Sequence, residues 1–63
     1  MLFAIHKIHN DASVFYATDV GTFIEDYVEV TPTLFAIQEE AQALADYLKA
    51  HQIPCTVVPY HGS

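Results

Sequence analysis

The sequence predicts a single small α+β domain with the element order β-β-β-α-β, and three observations predict it. Runs of β-branched and aromatic residues alternate with turn signals through the first half of the chain. One segment, residues 38–51, has no Gly, Pro or β-branched residue and shows the apolar spacing of an amphipathic helix. A β-rich run follows Pro54. All 63 residues are expected to form one domain, 1–63, because the length is near the lower limit for independent folding.

Two strands and two turns are predicted in the first 21 residues. The apolar segment 2–9, LFAIHKIH, predicts the first strand, and 14–18, VFYAT, predicts the second. NDAS at 10–13 is a turn signal, because Asn and Asp side chains bond to their own backbone and tolerate unusual φ values. DVG at 19–21 supplies the short glycine-containing loop of a second hairpin.

The next segment, FIEDYVEV at 23–30, fits either a helix or a strand. Its apolar positions 23, 24, 27 and 28 form a helical stripe, which would gather its acidic residues into a metal-binding cluster. Strand-forming residues dominate its composition, however, and Gly21 and Pro32 bound it on either side. We therefore predict a third strand. Alternation then turns the aliphatic Ile24, Val28 and Val30 toward the helix.

The helix is predicted at Gln38–His51. Ala41, Leu44, Ala45 and Leu48 fall on one face, and the acidic residues of the first turn suit the helix dipole. Its N-terminus is poorly capped, because Ala36 stands where Ser or Asp is expected.

The last strand is predicted at Cys55–Tyr60. Pro59 has no N–H to donate, so this strand should lie at an edge of the sheet or end there. Two hairpins make a three-stranded antiparallel meander, and a right-handed crossover through the helix would return the last strand. The sequence leaves open whether that strand joins the first strand or the third.

The charge balance restricts the class of partner. Eight acidic residues face two lysines, for a formal charge of −6. Direct nucleic-acid binding and attachment to anionic membranes both need the opposite sign, so neither is expected. A basic protein partner is permitted, and solubility alone also explains the acidity. The lone cysteine and the absence of a signal peptide favour the cytoplasm, and no apolar run approaches the roughly 18–20 residues that span a bilayer.

The sequence motifs give little support to an enzyme. His6 and His9 point to opposite faces of a strand, so they do not form a metal site, and no metal or cofactor is predicted. Cys55 is interpreted as a buried thiol, because no base or oxyanion-hole motif accompanies it. Two glycines in the whole chain exclude a P-loop or a dinucleotide fingerprint. No catalytic residue is proposed.

One resemblance adds to this interpretation. The run TLFAIQEEAQALADYLKAHQIPCTVVPY at 33–60, with "EEA", an Ala-rich helix and a closing "VVPY", resembles proteins from short open reading frames of bacteria and their phages. The resemblance implies a small β-rich accessory protein and identifies no functional residue.

A single helix covers only one face of a four-stranded sheet, which leads to the functional hypothesis. We expect a non-enzymatic interaction module, a homodimer, that binds or inhibits a protein partner through the exposed face. On the third strand, alternation of aromatic and acidic side chains predicts this interaction face: Phe23, Glu25, Tyr27 and Glu29. Neighbouring strands would add further side chains, and which ones depends on which alternate positions of each strand face outward. The candidates are Phe15 or Tyr16, and Val58 or Tyr60.

Two other functions stay open. The first is an acidic decoy that occupies a nucleic-acid-binding groove, as phage-encoded inhibitors of host defence do. The second is a metal- or pH-responsive regulator that uses the four histidines.

Overall fold

The computed structural model describes residues 1–25 and 31–60. Within these ranges the chain forms one four-stranded antiparallel sheet and one helix, so the predicted α+β class is confirmed. The sheet order is β3-β2-β1-β4. The elements are β1 Leu2–His9, β2 Ala12–Ala17, β3 Thr22–Ile24, α1 Gln38–Ala50 and β4 Thr56–Tyr60.

The two predicted hairpins form for backbone reasons. Asn10 and Asp11 make a two-residue turn with φ values of 51° and 65°, the conformation that Asn and Asp tolerate best among residues with a side chain. The β2–β3 turn ends on Gly21 at φ 68°, with its N–H donated to the Ala17 carbonyl. A Cβ at Gly21 would meet no atom within 4 Å, so the positive φ alone makes glycine the favourable residue there.

The last strand joins the first. β4 pairs with β1 from Leu2↔Tyr60 to His6↔Thr56, antiparallel. Because β4 also runs antiparallel to β3, the helical connection is not a crossover between parallel strands, and the expected handedness preference does not apply to it. β4 is an edge strand, which confirms the position predicted from Pro59.

The segment before the helix completes the sheet beside β1. β2 pairs with β1 only from His9 back to His6. Beyond that point Phe35 takes the place of β2, and Phe3 and Phe35 exchange two backbone hydrogen bonds of 2.8 Å each. The N–H of Thr33 also donates to the Tyr16 carbonyl at 3.1 Å. This segment therefore supplies hydrogen-bond partners to backbone groups of β1 and β2 that do not pair with each other.

The core lies between α1 and one face of the sheet. Ile5 is the largest side chain with no exposed surface, and it packs with Ala45, Leu48 and Cys55. Partly buried side chains complete this layer: Tyr16, Phe23, Phe35, Leu44, Ile53 and Val57. The helix begins after Ile37, so the N-cap lies one position beyond the predicted Ala36, and the Ile37 side chain makes no capping hydrogen bond. None of the helices in the described ranges is long and apolar enough to cross a membrane.

The predicted third strand is confirmed at its start. It begins as a strand, but β3 ends at Ile24 and Glu25 lies beyond it. The remainder of the predicted strand, residues 26–30, lies outside the described residues.

Candidate interaction surface

The face of the sheet opposite α1 is set by the register of the four strands. Ile5 and its neighbour Val57 face the helix. Side chains one position away point to the other side, and directly opposed residues share a face. We call this side the open face; its larger side chains are Leu2, His6, Ile8, Phe15, Ile24, Val58 and Tyr60.

Three rings form a continuous cluster on the open face. The centroids of His6 and Phe15 lie 5.2 Å apart, and those of Phe15 and Tyr60 lie 5.3 Å apart at an interplanar angle of 84°. Strands β2 and β4 flank β1, so their backbones are separated by roughly 10 Å. The Phe15 and Tyr60 side chains must therefore lean across β1, where the small Ala4 is 0% exposed.

Large apolar side chains at the rim of this cluster contact solvent. Ile8 is 62% exposed and Leu2 is 40% exposed. In the described part of the chain, the open face bears no carboxylate. The acidic residues of the described ranges lie elsewhere, in the two hairpin turns, just after β3 and along α1. They are Asp11, Asp19, Glu25, Glu39, Glu40 and Asp46.

The predicted interaction residues do not lie together on this face. Phe23 points the opposite way: it packs against the core under α1, with its ring 5.2 Å from that of Tyr16. The Lys7 ammonium lies 4.6 Å from the same ring. Glu25 is partly buried beyond the end of β3. Tyr27 and Glu29 are outside the described residues.

The orientation predicted for Phe23 and Ile24 was wrong for a physical reason. It assigned the aliphatic side chains to the core, but the pairing Tyr16↔Phe23 places both aromatic rings beside α1 and leaves Ile24 opposite Phe15 on the open face. Small helix residues such as Ala41 and Ala45 leave room that large rings fill. Sequence reasoning missed His6 and Ile8, although the alternation along β1 places both of them on the same face as Leu2.

The histidines are dispersed. His6 lies on the open face, and His9 points to the opposite side and accepts a hydrogen bond at Nε2 from Asn10 Nδ2, 3.3 Å away. The His51 ring follows α1 and stacks near Tyr47, with centroids 4.5 Å apart. Residues 1–25 and 31–60 hold no group of three His, Cys, Asp or Glu side chains suited to a metal ion. His61 is outside those ranges.

Cys55 is buried, as predicted. It is 6% exposed, and its Sγ donates a hydrogen bond to the Ala45 carbonyl at 3.6 Å. Burial raises the pKa of the thiol, while the charges of Lys49 and Lys7 oppose that rise. A protonated, hydrogen-bonded thiol in an apolar layer has the properties of a packing residue.

Comparison of the chain with models of protein families, with curated proteins and with solved structures finds no match.

Proposed function

We propose that this chain is a non-enzymatic interaction module that pairs with a second copy of itself through the open face. The observation that carries the proposal is the Phe15–Tyr60–His6 cluster, edged by the exposed Ile8 and Leu2, on the side of the sheet opposite the helix. Aromatic side chains enriched in the centre of a surface, with charged residues depleted, are typical of interface cores.

Charge favours a second copy over a basic partner. A basic protein would be selected by carboxylates, and the described carboxylates lie away from the open face. A twofold dimer places identical apolar patches against each other and needs no charge complementarity. The molecule measures 28 × 27 × 21 Å, so one broad side is of the order of the 800 Å² or so that each partner buries in a standard interface.

The acidic-decoy function ranks second. Asp11 and Asp19 lie in turns at opposite ends of β2, and Glu39, Glu40 and Asp46 lie on the helix. Such dispersed carboxylates do not reproduce the regular row of phosphates in a nucleic acid. A decoy would bind its basic target with an affinity that falls steeply as salt screens the charges, whereas apolar self-association weakens little.

The experiment compares two substitutions with equal charge and similar exposure. Ile8→Glu places a carboxylate on the open face, and Tyr47→Glu places one on the exposed side of α1, where Tyr47 is 60% exposed against 62% for Ile8. Sedimentation equilibrium over a concentration series measures the dimer dissociation constant of each variant and of the parent chain. We expect a concentration-dependent dimer for the parent and for Tyr47→Glu.

We expect Ile8→Glu to raise the dimer dissociation constant by about a hundredfold, since an unpaired buried charge costs several kcal/mol. Circular dichroism checks that the variant remains folded. A parent chain that stays monomeric at millimolar concentration, or equal weakening by both substitutions, would overturn the proposal.

A further inference from the structure

The edge of the sheet beside β4 is incomplete at one end. The β1–β4 ladder ends at His6↔Thr56, while β1 continues to His9. If the register continued, Ile8 would oppose Pro54, which has no N–H to offer. The chain comes from α1 at this point and joins the sheet edge only at Thr56. Within the described residues, the last part of β1 therefore has a partner on its β2 side only.

The direction of the Ile8 backbone groups follows from alternation. Phe3 exchanges hydrogen bonds with Phe35 on the β2 side, and His9 closes the two-residue hairpin on that same side. In an antiparallel strand, the N–H and C=O groups of one residue point toward one neighbouring strand, and those of the next residue point toward the other. The N–H and C=O of Ile8 accordingly point past the end of β4.

A concavity of about 560 Å³ lies at this point, within the size range of about 300–1,000 Å³ that is typical of ligand sites. We call it the ladder-end pocket. Its wall combines apolar residues with His6 and with both of the lysines that the chain contains. The lining residues are His6, Lys7, Ile8, Lys49, Pro54, Cys55 and Thr56. In a chain of formal charge −6, Lys49 is the exposed cation beside this wall.

We propose that the ladder-end pocket binds a single carboxylate on an apolar carbon chain. The Ile8 N–H donates to a carboxylate oxygen, the Lys49 ammonium neutralises its charge, and Ile8 and Pro54 contact the carbon chain. Oriented backbone donors with one nearby cation recur at sites that capture terminal carboxylates. A free organic acid and the C-terminus of an extended peptide share this chemistry.

The charges around the pocket favour a monoanion. The charges of Lys7 and Lys49 both oppose the rise in the pKa of the Cys55 thiol. The Lys7 ammonium, however, lies over the Phe23 ring on the helix side, and Lys49 is the exposed one. The Asp46 carboxylate accepts a hydrogen bond from Gln42 at 3.0 Å. Its negative charge raises the pKa of the Cys55 thiol, against the effect of the two lysines. One exposed ammonium matches one carboxylate better than a multiply charged phosphate.

The test uses N-acetyl-L-valine as the probe and its uncharged amide as the matched control. ¹H–¹⁵N spectra of the full chain are recorded while each compound is added up to 20 mM or so, a range suited to weak charge-assisted binding. We expect the acid to shift the Ile8 amide resonance in a saturable way and the amide control to leave it unchanged. Equal shifts with both compounds, or no shift at Ile8 with the acid, would overturn the proposal.

Two charge-matched variants locate the site. Lys49→Gln is expected to weaken binding by about three- to fivefold, as for the loss of one solvent-exposed ion pair. Lys7→Gln also removes one positive charge, but the Lys7 ammonium lies over the Phe23 ring. We therefore expect Lys7→Gln to weaken binding by less than twofold. Equal effects would indicate general charge attraction in place of a site, and would contradict the proposal.

The peptide acetyl-Thr-Val-Val distinguishes the two sources of the carboxylate. Tighter binding than N-acetylvaline assigns the pocket to a peptide C-terminus, because the extended backbone can also pair with the Ile8 carbonyl. Equal or weaker binding assigns it to a small acid. Ile8 is part of the pocket, so self-association is disrupted with Leu2→Glu, at the other end of β1 on the open face. Binding retained in Leu2→Glu would show that the pocket functions without self-association, and binding lost in a folded Leu2→Glu variant would contradict the proposal.

Discussion

The Phe15 ring meets the Tyr60 ring edge to face, 5.3 Å between centroids, although β1 separates their strands. This contact crosses a strand whose residue at that level, Ala4, is small and fully buried. The pair therefore bonds the second strand to the last one through side chains alone. It joins parts of the chain that share no backbone hydrogen bond.

A double-mutant cycle measures this contact. Phe15→Leu and Tyr60→Leu, alone and together, should show a coupling free energy of about 0.5–1.5 kcal/mol, as edge-to-face aromatic pairs do. Urea unfolding is measured in the Ile8→Glu background, so that association does not add to stability. The control cycle pairs Phe15→Leu with Tyr47→Leu on the helix, where additivity is expected. Additive losses for Phe15 and Tyr60 would refute the coupling.

The helix N-terminus offers a stabilising substitution. Ile37 has the extended backbone of an N-cap, φ −116° and ψ 121°, but makes no side-chain cap, and it is 51% exposed. Ile37→Ser should raise the free energy of unfolding by about 0.5–1 kcal/mol, since its hydroxyl can accept from an unpaired N–H of the first turn. Ala36→Ser, one position earlier, is the control and should change stability little. Thermal melting of the two variants decides between a cap and a general effect of serine.

Thr33 ties the segment before the helix to the β2–β3 turn. Its Oγ1 accepts from the Thr18 N–H at 2.8 Å and lies 2.9 Å from the Thr18 hydroxyl. Thr33→Val keeps the shape and removes both bonds, so we expect a loss of about 1 kcal/mol in urea unfolding. Thr22→Val, at an exposed strand position, should cost less or stabilise. Equal stability of parent and Thr33→Val would mean that water replaces both bonds without loss.

Alkaline pH should destabilise the chain through Cys55. Because burial raises the pKa of its thiol above the ordinary 9.0, the folded state holds this proton at pH values where the unfolded state has released it. The stabilisation is fully present below the unfolded pKa and is lost as pH rises through the folded pKa. Unfolding free energies from pH 7.5 to 10.5 or so should fall more steeply for the parent than for Cys55→Ala. Parallel curves would exclude the thiol as the cause, since tyrosine ionisation is common to both proteins.

The elements with strong local signals were predictable from the sequence. The helix starts at Gln38 as predicted, because a run free of Gly, Pro and β-branched residues has no competitive alternative. The first strand matches residue for residue, since a clear turn signal at Asn10 bounds it. The edge position of β4 followed from Pro59.

The candidate interaction surface was less predictable, because it depends on register. Whether Phe23 or Ile24 faces the helix is decided by pairing with β2, and a one-residue difference exchanges the two faces. Phe15 and Tyr60 were each candidates by parity, but their contact across β1 requires the order β2-β1-β4, which the sequence left open. The ladder-end pocket likewise exists only because β4 lies beside β1 and stops short of Ile8.

The position of β1 between its two partners has a kinetic consequence. Its pairing with β2 closes a turn of only Asn10 and Asp11, whereas its pairing with β4 brings Leu2 to Tyr60 across nearly the whole chain. Closing a long loop costs more entropy than closing a tight hairpin. The β1–β2 hairpin should therefore form first, within microseconds, and β4 should pair with β1 last. Until that late step, both edges of the nascent hairpin are exposed to other chains.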